Sequence, residues 1–269
     1  MALGWIDCGD YSFNSFLLLE RFQIHMMFGP GRDKKWRRRM GVALRANPAV
    51  KWYLEHRCPA RAEAIAQIAA EAPRANARKI RKAEIYVMQC AEDFVTYTTP
   101  EVMEASCRFI RDWDKERLLE MADFEGKIVL DVGSGSGRLA FAAAQRAKEV
   151  YASEPVGTLR EFIREKAARE GVTNIRVAEA LVTSIPYPDD TFDIVMSGHV
   201  VGDDWDAEIA ELTRVCRPGG WLLDCPGDET GRGKRHREQK ELTRHGWEEM
   251  RYTGNGGGDV WRYRKRVEK

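Results

Sequence analysis

Apolar positions change their rhythm near Phe124. Upstream they recur at helical spacing, and no segment reads as a strand. Phe13 to Phe28 places Phe16, Leu19, Phe22 and Met26 on one predicted helical face. Ala60 to Ala72 is alanine-rich with Ile65, Ile68 and Ala69 as its apolar positions, and Lys82 to Val95 offers Ile85, Met88 and Val95. Breaks fall at Gly29-Pro30-Gly31, Asn47-Pro48, Cys58-Pro59 and Ala72-Pro73. Thr99-Pro100-Glu101 reads as a cap followed by proline in the first turn of a helix that runs through Phe109 and Trp113, and Asp114 to Met121 continues it or forms another.

From Lys127 the pattern alternates between strand and helix. Strands are predicted at Ile128–Val132, Glu149–Ser153, Asn174–Ala178, Phe192–Ser197 and Trp221–Asp224, with later ones at Gly246–Thr253 and Val260–Arg264 around the glycine-rich 254–258. Helices are predicted at Gly137–Arg146, Gly157–Glu170 and Asp206–Val215, the last stopped by Arg217-Pro218-Gly219-Gly220. Such alternation predicts an α/β fold with a doubly wound, mainly parallel sheet that binds its ligand at the carboxyl ends of the strands. Residues 1–124 are expected to form a helical region and 125–269 the ligand-binding domain.

The chemistry concentrates after the first strand. Val129-Leu130-Asp131-Val132 runs into Gly133-Ser134-Gly135-Ser136-Gly137, and a helical pattern begins at Arg138. Alternate glycines allow positive φ and let a ligand approach the backbone, whose N–H groups are free at the helix start. Glu154 ends the second strand, where a carboxylate can accept both hydroxyls of a ribose; it can equally stabilise the start of the next helix. A nicotinamide dehydrogenase also combines a glycine turn with a strand-end acid, but its glycines are spaced G-x-G-x-x-G, and Asp131 would repel a pyrophosphate lying on the turn.

Four segments in this order resemble the class I S-adenosylmethionine-dependent methyltransferases, and most nearly the small-molecule enzymes of the ubiquinone-biosynthesis type. They are the stretch Val129 to Gly137; Glu154; Ile185-Pro186-Tyr187-Pro188-Asp189-Asp190-Thr191-Phe192-Asp193-Ile194-Val195; and Val215-Cys216-Arg217-Pro218-Gly219-Gly220-Trp221-Leu222. The resemblance covers about Glu125 to Asp224. It implies a Rossmann-like methyltransferase fold with seven strands and S-adenosyl-L-methionine as cofactor. It also implies that Asp131, Gly133, Ser134 and Gly135 hold the methionine part, with Gly137 closing the turn, that Glu154 holds the ribose, and that Pro155 flanks the adenine. After the third strand the family's adenine acid is displaced, so either Glu179 serves or a backbone group does, with Ala180 and Leu181 against the ring. Ser197-Gly198-His199 would face the methyl group. His199 is the candidate general base, or else a wall of the pocket, and Asp203 and Asp204 orient it or cap the helix that follows.

Composition narrows the partners. Of the 269 residues 43% are hydrophobic and 32% charged, with a net charge of +1, so no overall field favours nucleic acid or membrane. The acceptor is expected to be a small molecule; the alternatives are an RNA or protein acceptor and a cofactor-binding regulator without turnover. Two basic runs, Lys34-Lys35-Trp36-Arg37-Arg38-Arg39 and Arg232 to Arg237, are read as solvated faces rather than nucleic-acid contacts. The segment after the fourth strand lacks the Asn/Asp-Pro-Pro-aromatic motif of base amino methylation. Six scattered cysteines favour reduced thiols, and no metal site is expected, His56 and Cys58 reading as a surface histidine beside a half-buried thiol. With no predicted membrane span or secretory leader, a cytoplasmic location is expected. The aromatic-rich N-terminal helices are expected to cap the acceptor pocket or to form a homodimer surface.

Overall fold

A computed structural model describes residues 4–107, 110, 113–227, 239–253 and 259–269. The basic run at 232–237, the glycine-rich 254–258 and the predicted helix position Phe109 lie outside the described residues. The chain divides into two compact units, Met1–Ser106 and Cys107–Lys269.

The first unit is helical. Its α-helices are α1 (Arg21–Met27), α2 (Lys34–Ala46), α3 (Pro48–Arg57), α4 (Ala62–Ala70), α5 (Ala77–Cys90), α6 (Glu92–Tyr97) and α7 (Pro100–Ser106). The expected breaks do start helices: Asp33 and Asn76 cap α2 and α5 with their side chains, and Pro48 and Pro100 open α3 and α7. The continuous face from Phe13 to Phe28 does not form. A 3-10 turn at Phe13–Leu18 ends at Leu19, and a capping box between Glu20 and Gln23 restarts the chain as α1. The restart shifts the helical phase, so Phe16, Leu19, Ile24 and Met27 are buried while Met26 faces outward at 46% exposure and Phe22 is half-buried. Ile65, Ile68, Met88 and Val95 are buried as expected, and Ile85 is only partly so. Cys58 is fully buried rather than half-buried, and His56 stacks on Trp52 and bonds its carbonyl through Nδ1 at 2.7 Å.

In the second unit the one-turn helix α8 (Glu116–Leu119) precedes the sheet. Leu118, Leu119, Met121 and Phe124 pack in one core with Val129, Leu139 and Ile194. Burial of these side chains against the sheet places this stretch in the second unit, whose boundary at Ser106/Cys107 lies ahead of the position where the apolar rhythm changes. The strands are β1 (Ile128–Val132), β2 (Glu149–Ser153), β3 (Ile175–Ala178), β4 (Phe192–Ser197), β5 (Cys216–Asp224), β6 (Glu248–Thr253) and β7 (Asp259–Arg266), and the main helices are α9 (Arg138–Ala143), α10 (Gly157–Glu170) and α11 (Trp205–Val215). The sheet order is β3-β2-β1-β4-β5-β7-β6. Neighbours from β3 to β5 are parallel, and β7 is antiparallel to both β5 and β6. Alternate residues serve opposite faces: Val129, Ile194, Met196 and Leu223 pack on one side, and Leu130, Val132, Val195 and Leu222 on the other.

The first predicted helix of this unit is shorter than its pattern suggested, ending at Ala143. Strand β5 begins five residues early because Cys216 already pairs with Phe192, and a register shift between Phe192 and Ile194 absorbs the Pro-Gly-Gly turn. Order reverses between β1 and β4, so the crevice beyond their carboxyl ends is where such a sheet binds its ligand. None of the described helices is long and apolar enough to cross a membrane.

In the first unit one glycine sets a helix separation. A Cβ at Gly41 would stand 2.2 Å from the Ile68 carbonyl oxygen and 2.9 Å from Ala72 Cβ, so α2 and α4 touch through backbone. Replacing Gly41 with Ala is expected to destabilise this unit by about 1–3 kcal/mol through overpacking, read as a lower denaturant midpoint. An unchanged midpoint would contradict the contact.

Candidate functional site

Strand β1 ends in a turn whose backbone demands glycine. Gly133, Gly135 and Gly137 all have positive φ, at 65°, 57° and 91°. Gly133 is also fixed by contact, since a Cβ there would come within 2.5 Å of Val200 Cγ2. The turn is tied to the end of β2. The Ser153 carbonyl accepts from the N–H of Gly133 at 2.8 Å and of Ser134 at 3.1 Å, and Gly137 donates to the Ser134 carbonyl at 2.8 Å. Ser134 Oγ donates to the Asp131 carbonyl at 2.9 Å.

Glu154 joins this arrangement. Its Oε2 accepts from the Gly135 N–H at 2.8 Å and its Oε1 from the Val156 N–H at 2.9 Å. The carboxylate therefore spans the glycine turn and the start of α10, a double role that spacing alone did not reveal. Each oxygen keeps a second acceptor direction for a hydroxyl donor. Burial pushes the Glu154 carboxyl up to about 7, against the opposing pull of the Val156 and Gly135 N–H groups. Pro155 beside it is half-buried.

Asp131 is 1% exposed, and its Oδ2 is buried with no hydrogen-bond partner among the described residues. Burial pushes this carboxyl up to about 7 as well, while the Arg138 guanidinium favours its charged form. An acceptor left bare in the interior costs about 1–3 kcal/mol. A cationic donor bound over the turn would remove that cost, so the donor set fits an ammonium-bearing ligand with a vicinal diol. Ser136 Oγ is buried in the same turn, also without a partner among the described residues.

The other positions separate into those that join the strand ends and those that do not. Ser197 is fully buried at the end of β4; its Oγ bonds Asp224 Oδ1 at 3.2 Å, and its carbonyl accepts from the Cys225 N–H at 2.8 Å. Ala180 is buried, whereas Leu181 is 41% exposed in a short turn bridged to Ser184. Glu179 points outward and pairs with Arg160 at 3.0 Å, and that guanidinium also reaches the Glu154 carbonyl at 2.8 Å.

His199 is exposed with φ at 66°, a left-handed conformation unusual for a side-chain-bearing residue. Its Nε2 accepts from the Gly227 N–H at 2.9 Å, which makes Nε2 the unprotonated nitrogen and spends its lone pair on the chain after β5. Asp204 caps α11, its Oδ1 accepting from Ala207 N–H at 3.2 Å, and so takes the capping role. The Asp203 side chain is exposed. A cavity of about 10 Å³, room for one water, lies among His199, Val201, Trp205 and Asp224.

Two residues escaped the sequence reading. Arg138 runs over Gly198 to donate to the Cys225 carbonyl at 2.7 Å, with its guanidinium 4.5 Å from the Trp113 ring centroid. A Cβ at Gly198 would sit 2.7 Å from Arg138 Nη2, so that glycine keeps the path open. Glu208 is 2% exposed and accepts from the N–H groups of Gly202 at 2.7 Å and Asp203 at 3.3 Å, holding the loop after β4. The signal for Glu208 was an acid in the first turn of a helix, which reads as a dipole effect unless the loop's course is known.

The chain is similar to known proteins over this part of its length. Residues 129–220 match a family model described as a methyltransferase domain. An uncharacterized protein of Mycobacterium tuberculosis is 38% identical over 99 residues, 36% of this chain and 36% of that protein. The ubiquinone/menaquinone biosynthesis C-methyltransferase of Francisella tularensis is 31% identical over 119 residues, 42% of this chain and 48% of that protein. The chain thus spans between about a third and a half of the length of these relatives. Among solved structures, a SAM-dependent methyltransferase from Aquifex aeolicus superposes with a TM-score of 0.52 at 20% identity, covering 62% of this chain and 98% of that one, a likeness of fold. The glycine turn, the two strand-end carboxylates, the sheet order and the matched segment agree: this chain carries a class I S-adenosyl-L-methionine-dependent methyltransferase domain.

Proposed function

We propose that the protein transfers a methyl group from S-adenosyl-L-methionine to a small-molecule acceptor. The observation that carries the reading is the buried Asp131 Oδ2, without a hydrogen-bond partner among the described residues, beside a turn of three positive-φ glycines. Asp131 would take the ammonium of the methionine part, and the N–H-rich backbone of Gly133, Ser134 and Gly135 would lie along it. Glu154 would take the ribose hydroxyls on its free acceptor directions, with Pro155, Ala180 and Leu181 beside the base. The sulfonium methyl is already electrophilic when the cofactor is bound, so the protein's work is to orient the acceptor and exclude water. Gly137 closes the turn on Ser134, and Ser197 holds the end of β4 to Asp224.

His199 enters as a positioning residue. It acts as a base only after giving up the Gly227 N–H, so its first task is to hold the chain after β5 against the end of β4. A small acceptor is supported by the quinone-biosynthesis role that the Francisella relative's name gives it and by the Ser197-Gly198-His199-Val200 segment, which lacks the base-methylation motif.

Asp131→Ala and Glu154→Ala are each expected to weaken S-adenosyl-L-methionine binding by about 10- to 100-fold in titration calorimetry, the loss of charge-assisted hydrogen bonds. Wild-type affinity in both would remove these two assignments. Incubation with the cofactor and a panel of small acceptors should release S-adenosylhomocysteine with a matching mass gain on one acceptor. Tight cofactor binding with no transfer to any small molecule, but methyl incorporation into RNA or protein, would overturn the acceptor class.

Stability should also respond to pH in a defined direction. The Asp131 and Glu154 carboxyls rise from ordinary carboxylate values to about 7, so the folded free protein holds more protons than the unfolded chain between about pH 4 and 7. Their contribution is present below that window and is lost as pH rises through it. The double variant Asp131→Asn/Glu154→Gln should therefore gain melting temperature relative to wild type as pH rises from about 5 to about 8. A constant difference across that range would show that the two acids titrate normally.

A further inference from the structure

We propose that the groove between α2 and α5 of the first unit binds the phosphate backbone of a nucleic acid. The groove has a volume of about 560 Å³, and no carboxylate lines it. Lys34, Lys35, Arg38 and Arg39 enter it from α2. Lys79 and Lys82 enter from α5, and Arg74 from the segment before α5. The floor is apolar, with Val42 and Ala83 buried beneath the charges.

The expectation of a solvated face treated 34–39 as one run on one helix. Folding instead brings two separate basic stretches into one concavity. None of the seven cations makes an ion pair among the described residues. The nearby acids are engaged elsewhere. Asp33 caps α2 through the Trp36 N–H at 2.7 Å, Glu84 meets Asn47 and Arg81, and Glu71 meets Gln67 and Arg37. The start of α5 repeats the imbalance: its cap is the neutral Asn76 and its first turn carries no acid, so Lys79 stands against the positive end of the dipole, whereas α2 has the Asp33 carboxylate at its cap. Clustered like charges in that place cost stability, and an anion bound among them relieves both the repulsion and the dipole.

The layout selects a polymer. A free nucleoside triphosphate offers about four charges at one point, whereas the cations form rows along two helices. Lys34 and Arg38, and Lys35 and Arg39, are each one helical turn apart, about 6 Å of rise. Phosphates recur along a strand at ~3.4 Å of axial rise and lie farther apart through space because the backbone winds, so each row can meet successive phosphates. The available ring is already covered: Lys35 Nζ lies 4.6 Å and Arg39 Cζ 5.5 Å from the Tyr86 centroid. With no open ring for a base, the groove reads phosphates and is indifferent to sequence. The inference is independent of the cofactor site, and cofactor affinity serves as its folding control.

The test is fluorescence anisotropy of the full chain with a labelled RNA of about 20 nucleotides, single-stranded and as a duplex, between about 50 and 200 mM salt. Adenosine triphosphate and vesicles rich in phosphatidylserine are the comparison ligands. Arg38, Lys79 and Lys82 are exposed, so Arg38→Gln/Lys79→Gln/Lys82→Gln should fold and bind S-adenosyl-L-methionine as wild type does. Wild type should bind either RNA form with log affinity falling steeply against log salt, and the triple variant should lose at least about 10-fold in affinity and about 2 in slope. The charge-keeping variant Arg38→Lys/Lys79→Arg/Lys82→Arg should retain binding. RNA affinity unchanged in the glutamine variant would overturn the proposal, as would binding of the nucleotide or the vesicles with none of RNA.

Discussion

The Glu154 carboxylate is the joint on which the second unit's site depends. One oxygen takes the Gly135 N–H and the other the Val156 N–H, so one side chain sets the glycine turn after β1 against the start of α10 after β2. Hydrogen bonds to a charged group are worth about 1.5–3 kcal/mol, more than neutral ones. They also leave a carboxylate facing the crevice. Burial raises both this acid and Asp131. The free protein therefore carries two acidic groups in an environment that disfavours their charge, and a ligand with an ammonium and hydroxyl donors supplies what the interior lacks. The candidate site and the local instability are the same feature.

The other wall of the crevice is held by three contacts. Ser197 meets Asp224 across β4 and β5, Arg138 crosses from the start of α9 to the Cys225 carbonyl, and His199 takes the Gly227 N–H. These three contacts tie the turn after β1 and the end of β4 to the chain leaving β5. They give His199 a structural partner, and they show why Gly198 must lack a side chain. Glu208 does similar work from the first turn of α11, anchoring the loop through Gly202 and Asp203. Polar groups here fix chain paths as much as they offer chemistry.

The two units also differ in how their charge is arranged. The chain as a whole is nearly neutral, with 43 basic and 42 acidic residues. Described ion pairs in the second unit join both local and distant partners, as Arg214 does with Glu211 and with Asp189. In the first unit α2 and α5 bring together Lys34, Lys35, Arg38, Arg39, Lys79 and Lys82, none of which makes an ion pair among the described residues. A net charge near zero therefore says little about local potential, which depends on whether opposite charges share a surface.

The strands, the glycine turn and the two strand-end acids were legible in the residues alone. Strand period and glycine spacing are local properties, and positive φ at Gly133, Gly135 and Gly137 follows from the same few residues that display the pattern. The exact ends of β4, α10 and β2 were legible for that reason. Tertiary structure decided what depends on meetings between distant segments. It placed Leu118 to Phe124 with the sheet, because buried apolar side chains go where a core accepts them rather than where a periodicity ends. It broke the Phe13–Phe28 face, because the Glu20 cap restarts a helix in a new phase. It also brought residues 74–82 beside 34–39, a juxtaposition that no window of sequence contains. Local geometry is written within a helical turn or a strand, whereas fields and bare acceptors arise only when the chain folds back on itself.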